Sequence, residues 1–244
     1  MEKVSKRKVR VKSGVASVVV VLGVFFLLCS NAHATLIVTP VADGYAQDNI
    51  PLDGLGNVGN ATGNSWDIGY KSGVAVYRGF IKFGLPTVPE GMTLESATLK
   101  VRMATQVNPS SPTNNNPTVN AVLYYSQADN TMEVWASHYQ ATTYQPTGLS
   151  VATPSQGDNT WVAMDVTQWI AGDYAAEGVD AKSSFRVQMA DGWIPGTSSE
   201  RYVFNSAETS ASPVLELTFV TVPEPATIGL LSLASLFVLK KRHN

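Results

Sequence analysis

Val76-Tyr77-Arg78-Gly79-Phe80-Ile81-Lys82-Phe83 alternates with a period of two along its length. In an extended chain that period puts Val76, Arg78, Phe80 and Lys82 on one face and Tyr77, Gly79, Ile81 and Phe83 on the other. Aromatic and β-branched residues fill the run, as a pleated surface favours. Apolar residues occur on each face, so the strand is expected to be covered on both sides. Phe80 and Phe83 are its candidate core residues.

The same signal recurs on either side. Leu94–Met103 alternates, with the strand proper beginning near Ser96. Further short runs are Leu36–Val41, Trp66–Tyr70, Val119–Ser126, Trp161–Val166, Phe185–Met189, Arg201–Asn205 and Val214–Val220. Gly, Asn, Asp and Pro clusters separate them, which marks turns. Thr167–Ala171 reads as a single helical turn capped by Asp165 or Thr167. Thr105–Pro117, with its Asn-Pro and Ser-Pro steps, reads as a surface loop rather than a domain boundary. About nine short strands without βα alternation predict an all-β fold, an antiparallel β-sandwich or jelly roll forming a single domain over residues 35–221.

The 244-residue chain carries 17 Lys and Arg against 19 Asp and Glu, but the charges are segregated. Between Thr35 and Val222 there are eight basic and seventeen acidic residues, a net of −9. An acidic body repels a phosphate backbone, so nucleic acid is excluded as a partner. The single cysteine, Cys29, lies near the N-terminus, leaving no thiol in the body for a disulfide, a thiolate metal site or cysteine catalysis.

Both ends read as addresses. Residues 1–34 have a basic start (Lys3 to Lys12), an apolar run (Val15 to Leu28) and the small-residue exit Ala32-His33-Ala34. That is the tripartite pattern of a secretory signal helix, with cleavage by signal peptidase expected after Ala34. At the other end, Pro223-Glu224-Pro225 precedes the apolar run Ala226–Leu239 and the basic Lys240-Lys241-Arg242. A helix over those 14 residues spans about 21 Å, a short transmembrane helix whose basic end snorkels to the cytoplasmic face. Residues 222–244 resemble the PEP-CTERM sorting signal in motif, order and position. The resemblance implies processing by an exosortase, with Pro223, Glu224 and Pro225 as its recognition motif, in a Gram-negative bacterium that makes extracellular polysaccharide. It places the protein on the cell surface or in a biofilm matrix.

Five segments of the body also follow a known pattern, in order. They are Ala42-Asp43-Gly44-Tyr45, Arg78-Gly79-Phe80-Ile81-Lys82-Phe83, Ser96-Ala97-Thr98-Leu99-Lys100-Val101, Trp161 through Thr167, and Asn205-Ser206-Ala207-Glu208 with Pro213 to Leu217. Together they resemble the DNRLRE-type domain, related to family 96 carbohydrate-binding modules. Gly84 and Ala207 stand where that pattern has Asp and Arg. The resemblance implies a non-catalytic β-jelly roll that binds carbohydrate, here extracellular polysaccharide, or serves as a structural matrix module without a specific glycan.

The residues themselves offer little catalytic chemistry. Within the body the one histidine is His138, and no G-x-S-x-G elbow presents a serine for a triad. A glycosidase needs two placed carboxylates, and no spacing singles out a pair. Asp43, just past the first strand, and Glu208, just before the last, are candidate ligands of a structural calcium. Sugar binding calls for an exposed aromatic platform. Trp193, bracketed by the turn formers Asp191-Gly192 and Pro195-Gly196, is the first candidate, with Asp191 and Arg201 as polar partners. Trp66, after an Asn-rich loop, is the second. Trp135, Trp161 and Trp169 are expected in packing.

Overall fold

The computed structural model describes residues 32–49, 52, 56, 58–60, 64–107, 119–129, 131–178, 181–196 and 199–222. The signal segment before Ala32 and the sorting segment from Pro223, with Glu224 and Pro225, lie outside the described residues. Among the described residues no helix is long and apolar enough to cross a membrane. Ala34–Val220 form one compact unit.

The strands, with their end residues, are β1 (His33–Val38), β2 (Ala42–Asn49), β3 (Val58–Asn60), β4 (Ser65–Lys71), β5 (Ala75–Gly84), β6 (Met92–Val107), β7 (Ala121–Ser126), β8 (Gln145–Ala152), β9 (Thr160–Asp165), β10 (Lys182–Met189), β11 (Glu200–Asn205) and β12 (Val214–Thr221). A 3-10 turn covers Ala136–Gln140, and one α-helix, α1, covers Thr167–Glu177. The strands pair mostly antiparallel in the order β1-β12-β6-β11-β4-β5-β10-β7-β8, with β2 and β3 added at β5 and β9 at β6. The alternation thus delivers an all-β architecture. The pairing runs through one continuous curled sheet, and side chains of its two halves pack face to face, a sandwich-like form of the antiparallel β-sandwich or jelly roll that the strand pattern predicts.

β5 shows why the sheet curls. One edge of β5 pairs with β2 from Ala75 to Lys82. The other edge pairs with β4 at Ala75–Tyr77 and passes to β10 from Gly79 onward. At that hand-over the Trp66 ring lies over Gly79, where a Cβ would fall 2.4 Å from the indole. Only glycine leaves room for the two strands to part around that ring.

Side chains of β5, β7 and β10 (Ile81, Phe83, Leu123, Phe185) meet those of β6, β11 and β12 (Leu99, Met103, Phe204, Leu217) in the main apolar cluster. The opposite face of β5 is also covered. Phe80 joins Ala46, Tyr70, Tyr124, Val134, Tyr139 and Tyr144 in a second cluster, roofed by the chain between β7 and β8. Phe80 and Phe83 are both 0 % exposed, one in each cluster.

Several elements depart from the sequence pattern: β3 has no counterpart in it, and β6 begins at Met92 rather than near Ser96 and runs to Val107, into the stretch read as the Thr105–Pro117 loop. The first strand breaks at Pro40 and resumes as β2, whereas the pattern predicts an end at Val41. β8 has no counterpart in the pattern because Pro146 and Gly148 interrupt its alternation. It is an end strand, where a missing donor and a flexible residue are tolerated. The single helical turn is an eleven-residue helix that ends at Gly178, with φ +67°. Asp165 Oδ1 accepts from the Thr167 N–H at 3.0 Å and from its hydroxyl at 2.6 Å, while Thr167 Oγ1 accepts from Ala97 N at 2.9 Å. Those bonds pin the start of α1 to β6.

Candidate functional site

Trp66 and Trp193 belong to packing. Trp66 is 1 % exposed, stacked on Phe204 with centroids 4.6 Å apart and planes at 16°. As a sugar platform it is corrected: β4 turns the indole into the main core, and neither ring face is open. Asp191-Gly192 does make the expected turn, with Gly192 at φ +85° and the Trp193 N–H bonded to Ala190 O. Yet the Trp193 indole folds back, half-buried, against both apolar clusters. Its Nε1–H donates to Glu200 Oε2 at 3.1 Å, which gives the polar edge a partner inside the fold.

Asp191 and Trp193 line a notch of about 140 Å³ with Arg78 and Gln188. Asp191 itself accepts from the Tyr124 hydroxyl at 2.5 Å and from Gln188 Nε2 at 3.4 Å. Arg201 is not part of it. Successive strand residues face opposite ways, so Glu200 meets Trp193 while Arg201 turns to the other face, 3.5 Å from Asp67.

A larger groove, about 450 Å³, opens elsewhere. Its walls include Val41, Asp43, Met132, Glu133, Trp135 and Glu208. Asp43 and Glu208 are therefore brought together, as their places in the sequence suggest. Asp43 is only 2 % exposed, with its Oδ2 accepting from Ala207 N at 2.9 Å. Burial pushes its carboxyl up to about 6; the Ala207 bond opposes the rise and the Glu208 charge adds to it. Two carboxylates offer fewer oxygens than the six to eight calcium takes. Among the described residues no group of three His, Cys, Asp or Glu is gathered to hold a metal ion.

Trp135, assigned to packing by sequence, is 55 % exposed at the groove's edge. The correction has a simple cause. Trp135 is in extended backbone, φ −111° and ψ 156°, so it and Val134 point opposite ways. Val134 is 7 % exposed in the second cluster, which turns the indole outward. The alternation of Glu133-Val134-Trp135 was the available signal. Trp161, on β9 beside Arg102, is 49 % exposed as well, while Trp169 packs half-buried on the main core.

The Trp135 segment is held from beneath by a polar cluster. The Lys82 side chain is 0 % exposed, and its Nζ donates to Asp129 Oδ2 and Thr131 Oγ1, each at 2.8 Å. His138 Nδ1 accepts from the Trp135 backbone N–H at 2.7 Å. A neutral imidazole has one acceptor nitrogen, so the ring proton is assigned to Nε2, which faces Asp129 Oδ2 at 3.2 Å. Tyr144 also donates to Asp129 Oδ2, and its oxygen lies 2.6 Å from Ser184 Oγ. Burial would raise the Asp129 pKa, but bonds from His138, Lys82, Tyr144 and Thr131 outweigh it and hold the carboxyl well below its usual range. The triad-like residues are thus spent on fixing a loop. His138, the one histidine of the body, is 7 % exposed within this network.

The model of carbohydrate-binding module family 96 matches residues 35–219. The chain belongs to that family. A comparison with curated proteins finds no match. Family membership makes this a carbohydrate-binding-module fold, and its larger groove sets an open indole face beside the carboxylates of Glu133 and Glu208.

Proposed function

We propose that the protein is an exported, non-catalytic module that binds extracellular polysaccharide along the Trp135 groove. The observation that carries this is the exposed indole beside Glu133 and Glu208 in a family 96 module. A pyranose ring stacked on that face removes apolar C–H surface from water, worth on the order of 1 kcal/mol per contact. Exposed carboxylates at the rim accept hydrogen bonds from sugar hydroxyls. Contacts of this strength suit a matrix, where many weak contacts add by avidity.

Absence of catalysis is supported by the placement of the one carboxyl with a markedly raised pKa in the groove. Asp43 is 2 % exposed beneath the wall and already bonded to Ala207 N, poorly placed to protonate a glycosidic oxygen. Export is supported by the basic, apolar and small-residue order of residues 1–34, with signal peptidase cutting after Ala34. Sorting by an exosortase to the cell surface or matrix is supported by Pro223-Glu224-Pro225, the apolar run and the basic end.

A glycan array probed with the purified protein tests the binding function. Retention on a defined set of polysaccharides is expected. Signal no higher than that of a non-binding control protein overturns it and leaves a structural matrix role.

A further inference from the structure

We propose that Trp161 on β9 is a second, weaker glycan platform on the far side of the fold from Trp135, so that one molecule cross-links two polysaccharide chains. This rests on the reading of the protein as a polysaccharide binder and adds a site to it.

The pairing of β9 with β6 fixes where the ring points. Register partners share a face, so Val162 beside Val101 and Met164 beside Leu99 turn toward the main apolar cluster. Trp161 beside Arg102 and Ala163 beside Lys100 therefore turn outward. The segment that carries Trp135 covers the outer face of β5, where Phe80 meets Val134 in the second cluster. The main cluster thus stands between the two indoles, and a straight glycan segment lies on one or the other.

The ring is 49 % exposed, and its strand end is pinned. Asn159, two residues before it, has φ +60°, the one non-glycine in the left-handed region among the described residues. Bonds to β6 offset that strain: the Asn159 N–H donates to Ala104 O at 3.1 Å, and Asn159 Oδ1 accepts from Arg102 Nη2 at 3.2 Å. Arg102 has no ion-pair partner among the described residues, so its guanidinium keeps donors for sugar oxygens. A protein partner calls for a contiguous apolar patch. Here the outward neighbours are a methyl group, Arg102 and the Lys100–Glu216 pair at 2.6 Å. A lone indole among polar groups matches a pyranose ring, which stacks its C–H face and bonds sideways through its hydroxyls. With no groove around it, the ring holds a chain more weakly than the Trp135 site and does not retain one alone.

The test uses the full-length protein and whichever of barley β-glucan, arabinoxylan and alginate it retains most in affinity gels. The long polymer is expected to turn turbid with the parent protein and to stay clear with Trp161→Ala. A hexamer of the same glycan should bind the parent in two steps, the second about tenfold weaker, as one lost contact of about 1.4 kcal/mol implies. Trp161→Ala should lose only the weaker step at an unchanged melting temperature, and Trp161→Tyr, which keeps a flat ring, should restore it in part. A single step in the parent, turbidity that survives Trp161→Ala, or a glycan-free dimer that Trp161→Ala dissolves would overturn the second platform, the last making this face a self-association surface. If the tighter step persists in Trp135→Ala while Trp161→Ala still loses the weaker one, the groove reading fails and the Trp161 platform stands. Retention of none of the three polymers would overturn both.

Discussion

Lys82 on β5 and Asp129 in the β7–β8 connection form an ion pair at 2.8 Å, with side chains 0 % and 6 % exposed. The pair ties the covering loop to the strand it covers. Through His138 it reaches the backbone of Trp135. A lysine on the outer face of β5 is thus an anchor under the proposed binding groove.

Breaking this pair from one side leaves a buried charge unpaired. Asp129→Ala is expected to cost about 3–5 kcal/mol, whereas Lys82→Met with Asp129→Leu should cost clearly less. Denaturant melts of the two variants check this. Equal costs would mean that the loop is held by its apolar contacts alone.

The crossing of Trp66 over Gly79 predicts an intolerant glycine. Gly79→Ala puts a methyl group 2.4 Å from the indole and is expected to destabilise by about 1–3 kcal/mol through overpacking. Phe80→Ala and Phe83→Ala should each cost about 3–5 kcal/mol, since each ring is 0 % exposed in its own cluster. Thermal melts report all three. A near-wild-type Phe80→Ala would deny the second cluster a stabilising role.

Burial raises two carboxyls, Asp43 and Asp173, from 3.8 to about 6. A raised folded pKa contributes stability that is fully present below about 4 and is lost as pH rises through about 6. Asp129 has the opposite sign, and its contribution is lost as pH falls below about 4. Stability should therefore decline between about pH 4 and pH 6, by at most roughly 3 kcal/mol per raised group. Asp43→Asn should flatten that slope in melts taken across the range. An unchanged slope would remove Asp43 as a source.

The fold was largely legible because β5 and β6 announce themselves by alternation. What escaped was long-range. The local signals for Trp66 and Trp135 are short: Trp66 alternates with Ile68 and Tyr70, and Trp135 with Val134, but a period of two does not by itself say which face is covered. The difference is that Trp66 finds Phe204, over a hundred residues away, while Val134 takes the buried side and turns Trp135 out. Trp193 misleads for a related reason: its turn is as expected, but Glu200 supplies a partner that draws the ring back. Asp43 follows the first strand and Glu208 precedes the last, so their meeting at one groove depended on those strands pairing, which β1 and β12 do. The Lys82–Asp129 pair joins a strand to a loop 47 residues on, and no spacing rule links the two.

Glycan binding stands or falls with the exposed indole of Trp135 as its platform. Affinity electrophoresis of Trp135→Ala beside Trp193→Ala, in gels containing the polysaccharide the parent retains, reads this out. Trp135→Ala is expected to lose retardation at an unchanged melting temperature, because its ring is 55 % exposed. Trp193→Ala is expected to melt lower while its folded fraction still binds. Full retardation of Trp135→Ala, with binding lost in a stably folded Trp193→Ala, would contradict the platform role and move the site to the notch beside Asp191.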